Sequence, residues 1–158
     1  MVAASSRVKG AVVLRRGAMR VAALDFGKAR IGVAVSDELG LLAHPRPFIP
    51  AKNRKAALAA VRRLKEEEAI ERFLVGLPLR LGGEAGSTAA EVTRFAQEVC
   101  DQTGCEVELV DERLSTVQAS RALRDGGLSS KDQRGRIDSA AAAVLLQAWL
   151  DGPGRRPR

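Results

Sequence analysis

Two apolar, β-branched runs lying three residues apart constrain this chain more than anything else in it. Residues 20–26 and 30–36 flank only Gly27-Lys28-Ala29. A link that short cannot carry a parallel crossover, which needs a dozen or more residues, so the runs must pair as an antiparallel hairpin. The same stretch, LDFGKARIGVAVSD, contains an anomaly. It places Asp25 at the close of the first apolar run and follows it with glycine and two basic residues. A buried strand gains nothing from a carboxylate there, so the position asks for a reason.

The rest of the pattern builds outward from that hairpin. Residues 41–49 form a weaker strand in which Pro45 and Pro47 remove ladder donors, which predicts a sheet edge. Residues 53–68 space Ala57, Val61 and Leu64 as one helical face, and a short apolar strand over 72–76 is stopped by Pro78. A glycine-rich loop over 79–87 leads to Thr88 and Glu91, the capping-box spacing. The helix it opens runs to Thr103 and buries Val92, Phe95, Ala96 and Val99. Residues 106–110 read as a strand. Ser115 with Gln118 starts another helix, which ends at Gly126-Gly127. After a polar, basic stretch over 128–136, a last helix over 137–150 is expected to bury Ile137, Ala141, Val144, Leu145 and Ala148. Strands joined by helical crossovers must be parallel. The order β-β-β-α-β-α-β-α-α therefore predicts an α/β fold: a mixed five-stranded sheet, three strands antiparallel and then two parallel, flanked by helices.

The 158 residues suit one domain. We divide them into a basic N-terminal extension (1–19), the folded domain (20–151) and a basic C-terminal tail (152–158). The formal charge of +7 resides entirely in the ends: five basic residues and no acid precede residue 21, and three arginines accompany Asp151 at the other end, while 21–150 nets zero. A polyanionic partner is one reading of those ends, and solvated tails are an equal one on composition alone. No apolar run approaches the ~20 residues of a membrane span, and residues 11–14 are too short for a secretory segment, so a cytoplasmic protein is expected. The two cysteines, Cys100 and Cys105, and the single histidine, His44, cannot assemble zinc-site spacing, and the cysteines are expected to be reduced.

Three groups of acids fall at element ends rather than middles. Asp25 closes the first strand, Asp111-Glu112 follow the last strand, and Asp138 lies in the first turn of the last helix. A mixed sheet can set the first strand beside a later parallel one, with the terminal helix crossing their ends, and the acids then converge. Clustered carboxylates without His or Cys suit a hard cation, Mg2+ or Mn2+, and such sites hydrolyse phosphodiesters. Taken singly, each acid has an ordinary explanation: Asp138 complements its helix dipole, Glu112 is a loop acid, and Asp25 bonds turn amides. Their shared sheet end favours chemistry. Lys28, Arg30 and Arg113, and the basic residues Lys131, Arg134 and Arg136 before Asp138, are placed to hold a phosphate backbone, which positions a strand without reading its sequence. For 131–136 a solvated surface is an equal reading. Five aromatics in all give no base-stacking platform.

Four ordered blocks carry a resemblance: LDFGKARIGVAVSD, FLVGLPLRLGGEAGSTAAEVTRFAQEV, VELVDERLSTVQASRALRDGG and IDSAAAAVLLQAWLD. Together they resemble the YqgF family of Holliday-junction-resolvase-like, pre-16S rRNA nucleases, over about residues 20–151. The resemblance implies an RNase H-like fold and a divalent-metal nuclease site with catalytic roles on Asp25, Glu112 and Asp138, and Asp111 in support. It implies a structured-RNA substrate in ribosome biogenesis, with precursor ribosomal particles as partners, or branched DNA if the resolvase likeness governs. A resolvase would need two sites in a homodimer, whereas an RNA nuclease can act as a monomer. Phe26 stands where the family commonly has Tyr, Ala29 lies where a further Lys is common, and Arg80 replaces a frequent Asn. These departures spare the acids and touch only substrate contacts. The match begins near Met19, which makes that residue a candidate start.

Two other readings compete. The turn after Asp25 also resembles the phosphate loop of actin-like ATPases and sugar kinases, which use two lobes where this chain has length for one. A non-catalytic RNA-binding ribosome-assembly module, with structural acids, would bind RNA without metal-dependent activity.

Overall fold

The hairpin inferred from the sequence lies at the centre of the sheet. The computed structural model describes residues 6–8, 11–13, 17–77, 88–112 and 139–152. A five-stranded sheet has the order β5-β4-β3-β6-β7, built from β3 (Val21–Phe26), β4 (Arg30–Ser36), β5 (Ala43–Pro50), β6 (Arg72–Leu77) and β7 (Glu106–Asp111). β3 pairs antiparallel with β4 and parallel with β6, β4 pairs antiparallel with β5, and β6 pairs parallel with β7. This is the mixed sheet expected, with the proline-bearing β5 at its edge. Between β3 and β4, Gly27 donates its N–H to the Arg30 carbonyl at 3.0 Å, and a Cβ at Gly27 would stand 2.7 Å from that same oxygen. Only glycine closes the turn so tightly.

The basic extension is not featureless. Within it β1 (Ser6–Val8) and β2 (Ala11–Val13) form a separate antiparallel pair, which the sequence reading did not anticipate because the runs are only three residues each.

Among the described residues three helices flank the sheet: α1 (Arg54–Glu68), α2 (Ala89–Thr103) and α3 (Ala140–Asp151). Asn53 caps α1 by accepting the Ala56 N–H. Thr88 caps α2 by accepting the Glu91 N–H and donating its hydroxyl to the Glu91 carboxylate, each at 3.2 Å. Alternation along the strands divides the core into two faces. Ala22, Leu24, Ile31, Val33, Phe73 and Val75 point toward α1 and α2, which contribute Ala57, Val61, Val92, Phe95 and Val99. Val21, Ala23, Ala34 and Leu74 point the other way, toward Ala141, Ala142, Leu145, Leu146 and Leu150 of α3.

The α3 face differs from expectation: Ala142, Leu146 and Leu150 are buried, Val144 is half-buried, and Ala148 is exposed. A near-continuous apolar run with four consecutive alanines has little periodicity, so its phase is set by the sheet rather than by the sequence. Gln147 ties α3 to the β5 edge, donating to the Leu41 carbonyl and accepting the Ala43 N–H, each at 2.9 Å. Trp149 ties it toward the β7 edge by donating to Glu108 at 3.1 Å. The loop over 79–87, the helix expected from Thr116 to Gly126-Gly127, the basic stretch over 128–136 and Ile137 lie outside the described residues. Among the described residues no helix is long and apolar enough to cross a membrane, and both cysteines are free thiols.

Candidate active site

β3, β6 and β7 run parallel, so their C-terminal ends open on the same side of the sheet. Asp25 is the fifth of six residues in β3 and is 4% exposed. In the antiparallel ladder it faces Gly32 of β4. On its other side Leu24 pairs with Val75, so the next position along β6 is Gly76. Asp25 is thus flanked by glycines on both neighbouring strands. It shares the face of Val21 and Ala23, and Gly76 shares the face of Leu74, so both look toward α3.

The gap at Gly76 is occupied by a side chain from the far strand. A Cβ built there would stand 2.7 Å from Glu112 Oε1, 3.1 Å from its Cγ and 3.3 Å from its Cδ. Glu112 follows β7 directly and is 5% exposed. Its carboxylate therefore lies over β6, about one interstrand spacing (~4.8 Å) from the strand that carries Asp25. Two carboxylates removed from water are thus set on one face of the sheet, on either side of a point where the intervening strand has no side chain. Glycine in a strand interior often marks such a close approach.

Asp111 ends β7 opposite Leu77 and is half-buried. Strand alternation sets it on the face opposite Glu112, toward α1 and α2. Lys28 is exposed in the hairpin turn. Arg30 is exposed at the start of β4, on the Asp25 face by alternation, and its guanidinium lies 5.1 Å over the Phe48 ring. Both cations sit at the end of the sheet where Asp25 lies. Asp138, Arg113, Lys131, Arg134 and Arg136 lie outside the described residues. Among the described residues no three His, Cys, Asp or Glu side chains form a metal-holding group.

Ser139 belongs to this arrangement although nothing in the sequence singled it out. It stands at the N-cap of α3, fully buried, and its hydroxyl makes no capping bond to its own helix. The oxygen instead accepts the Val33 N–H at 3.1 Å and donates to the Arg46 carbonyl. The β4–β5 register shifts between Ile31 and Val33, so a bulge opens there and Ser139 closes it. The start of α3 is thereby pinned to β4 beside Gly32, the residue facing Asp25. A serine before a helix normally reads as a cap, which is why pattern alone missed it.

The two described donors, Asp25 and Glu112, offer only oxygen and are buried, and the Gly76 cradle leaves room for a carboxylate to turn inward. These residues fit a hard divalent cation.

Comparison with known proteins places the chain among nucleases. A family profile described as "RuvX: Holliday junction resolvase" matches residues 19–152. A protein of Anaeromyxobacter sp. (strain Fw109-5) named "Putative pre-16S rRNA nuclease" is 44% identical over 134 residues, covering 85% of this chain and 98% of its own length. One of the same name from Chloroflexus aurantiacus (strain ATCC 29366 / DSM 635 / J-10-fl) is 41% identical over 137 residues, covering 87% and 90%. Among solved structures, T. thermophilus RuvC in complex with Holliday junction substrate superposes with a TM-score of 0.53 at 18% identity, covering 85% of this chain and 95% of that one. That likeness concerns the fold, and with the sheet order it makes the fold RNase H-like.

Proposed function

The chain belongs to the RuvX Holliday junction resolvase family, and from that premise we propose that it is a divalent-metal-dependent nuclease that hydrolyses phosphodiester bonds in structured RNA. The observation that carries the proposal is the pairing of Asp25 and Glu112, buried on one face at the C-terminal ends of β3 and β7, with Glu112 lying over Gly76. The substrate we favour is precursor 16S rRNA within immature ribosomal particles in the cytoplasm, on the strength of relatives at 41–44% identity that carry that name.

Asp25, Glu112 and Asp138 would hold Mg2+ or Mn2+, with Asp111 in support. Bound metal of this kind polarises a phosphoryl oxygen and lowers the pKa of an attacking water. The protein's share is positioning. Asp25 is fixed by a strand with partners on both sides, Glu112 by its seat over β6, and the start of α3 by Ser139. Lys28, Arg30 and Arg113 would take the neighbouring backbone phosphates, fixing the register of the nucleic acid without selecting its sequence.

The test is an Asp25→Asn variant assayed on a precursor 16S rRNA fragment with Mg2+ or Mn2+. It should melt like the parent and lose cleavage; undiminished cleavage refutes the site. The family description and the RuvC-like fold favour one second reading, a homodimeric resolvase of branched DNA. A four-way DNA junction run beside the RNA separates the two: symmetric cleavage of the junction with none of the RNA establishes the resolvase.

A further inference from the structure

On the side of the sheet away from α3, a groove of about 640 Å³ runs between α1 and α2. Arg54, Lys55, Arg62 and Arg63 line it, against Glu66 and Glu98. Leu58, Ala59 and the aliphatic stems of these long side chains supply its apolar wall, which leaves the charges at the rim. Two of the cations are engaged. Arg54 pairs with Glu98 at 3.1 Å, and Arg62 pairs with Glu66 at 3.6 Å through side chains that are both more than 60% exposed. An exposed pair of that kind is worth little and exchanges readily for another anion. Lys55 and Arg63 are exposed and make no ion pair among the described residues.

The charge order along α1 runs against its dipole. Its first turn holds Arg54 and Lys55 and no acid, while Glu66, Glu67 and Glu68 crowd its last turn beside a single basic residue, Lys65. Charges so placed oppose the helix dipole. Glu68 has a structural reason, since it pairs with Arg20 and Arg46 at 3.0 Å. Arg54 has one too: its guanidinium lies 4.9 Å over Phe26 and 5.5 Å over Phe95, two rings stacked at 4.5 Å. Lys55 and Arg63 have no such partner among the described residues and Arg62 has only its exposed pair with Glu66, yet with Arg54 they cover about 13 Å of helix on one side. The groove begins at Arg54, whose ring partner Phe26 is next to Asp25 in β3, at the sheet end where the buried acids lie.

We propose that this groove is a second phosphate-backbone track, which takes the flank of a nucleic acid whose reacting segment lies over the strand ends on the α3 side. The track rests on the nuclease reading. It predicts that substrate wraps over the end of the sheet, so that long substrates engage both faces and short ones engage only the α3 face.

The test is the triple variant Lys55→Glu/Arg62→Glu/Arg63→Glu, with the Lys55→Gln/Arg62→Gln/Arg63→Gln variant as its neutral counterpart. Binding of a long and a short RNA duplex, and of DNA duplexes of the same lengths, is measured across a salt series without metal. Losing three phosphate contacts should lower the slope of log K against log salt by about two to three units. It should also weaken long-duplex binding at least tenfold, for RNA and DNA alike. Short-substrate binding and cleavage should hold, and both triple variants should melt like the parent. Unchanged long-duplex affinity and salt slope in both variants overturn the track, as does equal loss on short and long substrates. Because the binding arms need no catalysis, failure of the nuclease reading would leave them readable.

Discussion

Replacing Gly76 with alanine would test the geometry that joins the two buried acids without touching either of them. The new methyl would stand 2.7 Å from Glu112 Oε1, where ordinary contact begins at 3.4 Å, so the carboxylate must retreat by about 0.7 Å. With Cγ at 3.1 Å and Cδ at 3.3 Å the whole group has to swing rather than only its tip. Misplacing a catalytic group by about 1 Å costs on the order of 10²-fold in rate. Single-turnover cleavage should therefore fall by one to two orders of magnitude, with little change in substrate affinity. Stability should change little: alanine reduces the freedom of the unfolded chain, worth about 0.4–1 kcal/mol, and this offsets part of the crowding. Cleavage within about twofold of the parent by a folded Gly76→Ala protein would refute the claim that Glu112 must lie over β6.

Two further expectations concern the frame around the site. Ser139→Ala leaves the Val33 N–H and the Arg46 carbonyl without their hydroxyl partner. At about 1–3 kcal/mol for each unsatisfied buried group, it should cost roughly 2–6 kcal/mol by urea denaturation; a loss below about 1 kcal/mol would mean that the bulge closes without it. Asp37 accepts the Leu41 N–H at 2.8 Å in the β4–β5 turn, and that bond, with further amides from Leu42 and Gly40, holds its carboxyl below the usual 3.8. A carboxyl lowered on folding stabilises the fold above its unfolded value and loses that contribution as pH falls through the folded one. The stability gap between the parent and Asp37→Ala should thus be full near neutral pH and narrow below 3.8; a gap that widens there would contradict the assignment.

What could be read from sequence was whatever rested on local chemistry. The three-residue link at Gly27-Lys28-Ala29 left only a hairpin, Pro45 and Pro47 forced β5 to the edge, and Thr88 with Glu91 fixed the start of α2 and hence its buried face. The phase of α3 was not legible, because alanine after alanine offers no polar side to mark the outside. Gly76 and Ser139 escaped because each acts on a residue distant in the chain. Gly76 makes way for Glu112, 36 positions on, and Ser139 mends a bulge between strands more than 90 positions back. A glycine inside a β-branched run was the one available hint. Glu112 was placed at the right sheet end by counting elements, but its turn inward over β6 depends on that glycine.

The packing beneath α3 has a consequence for how such a chain can vary. Among the described residues, four of the nine buried hydrophobic side chains on that side are alanines, Ala23 and Ala34 from the sheet and Ala141 and Ala142 from the helix. The opposite side is filled by Leu24, Ile31, Phe73, Phe95 and Val61. Large interlocking side chains can trade volume with one another, one shrinking as its neighbour grows. Alanine against alanine has nothing to trade, and any added methylene acts as a shim that lifts the helix and drags Ser139 with it. Sequence drift is therefore channelled to the α1–α2 side, while the α3 side serves as a gauge block that holds one spacing through generations of substitution elsewhere.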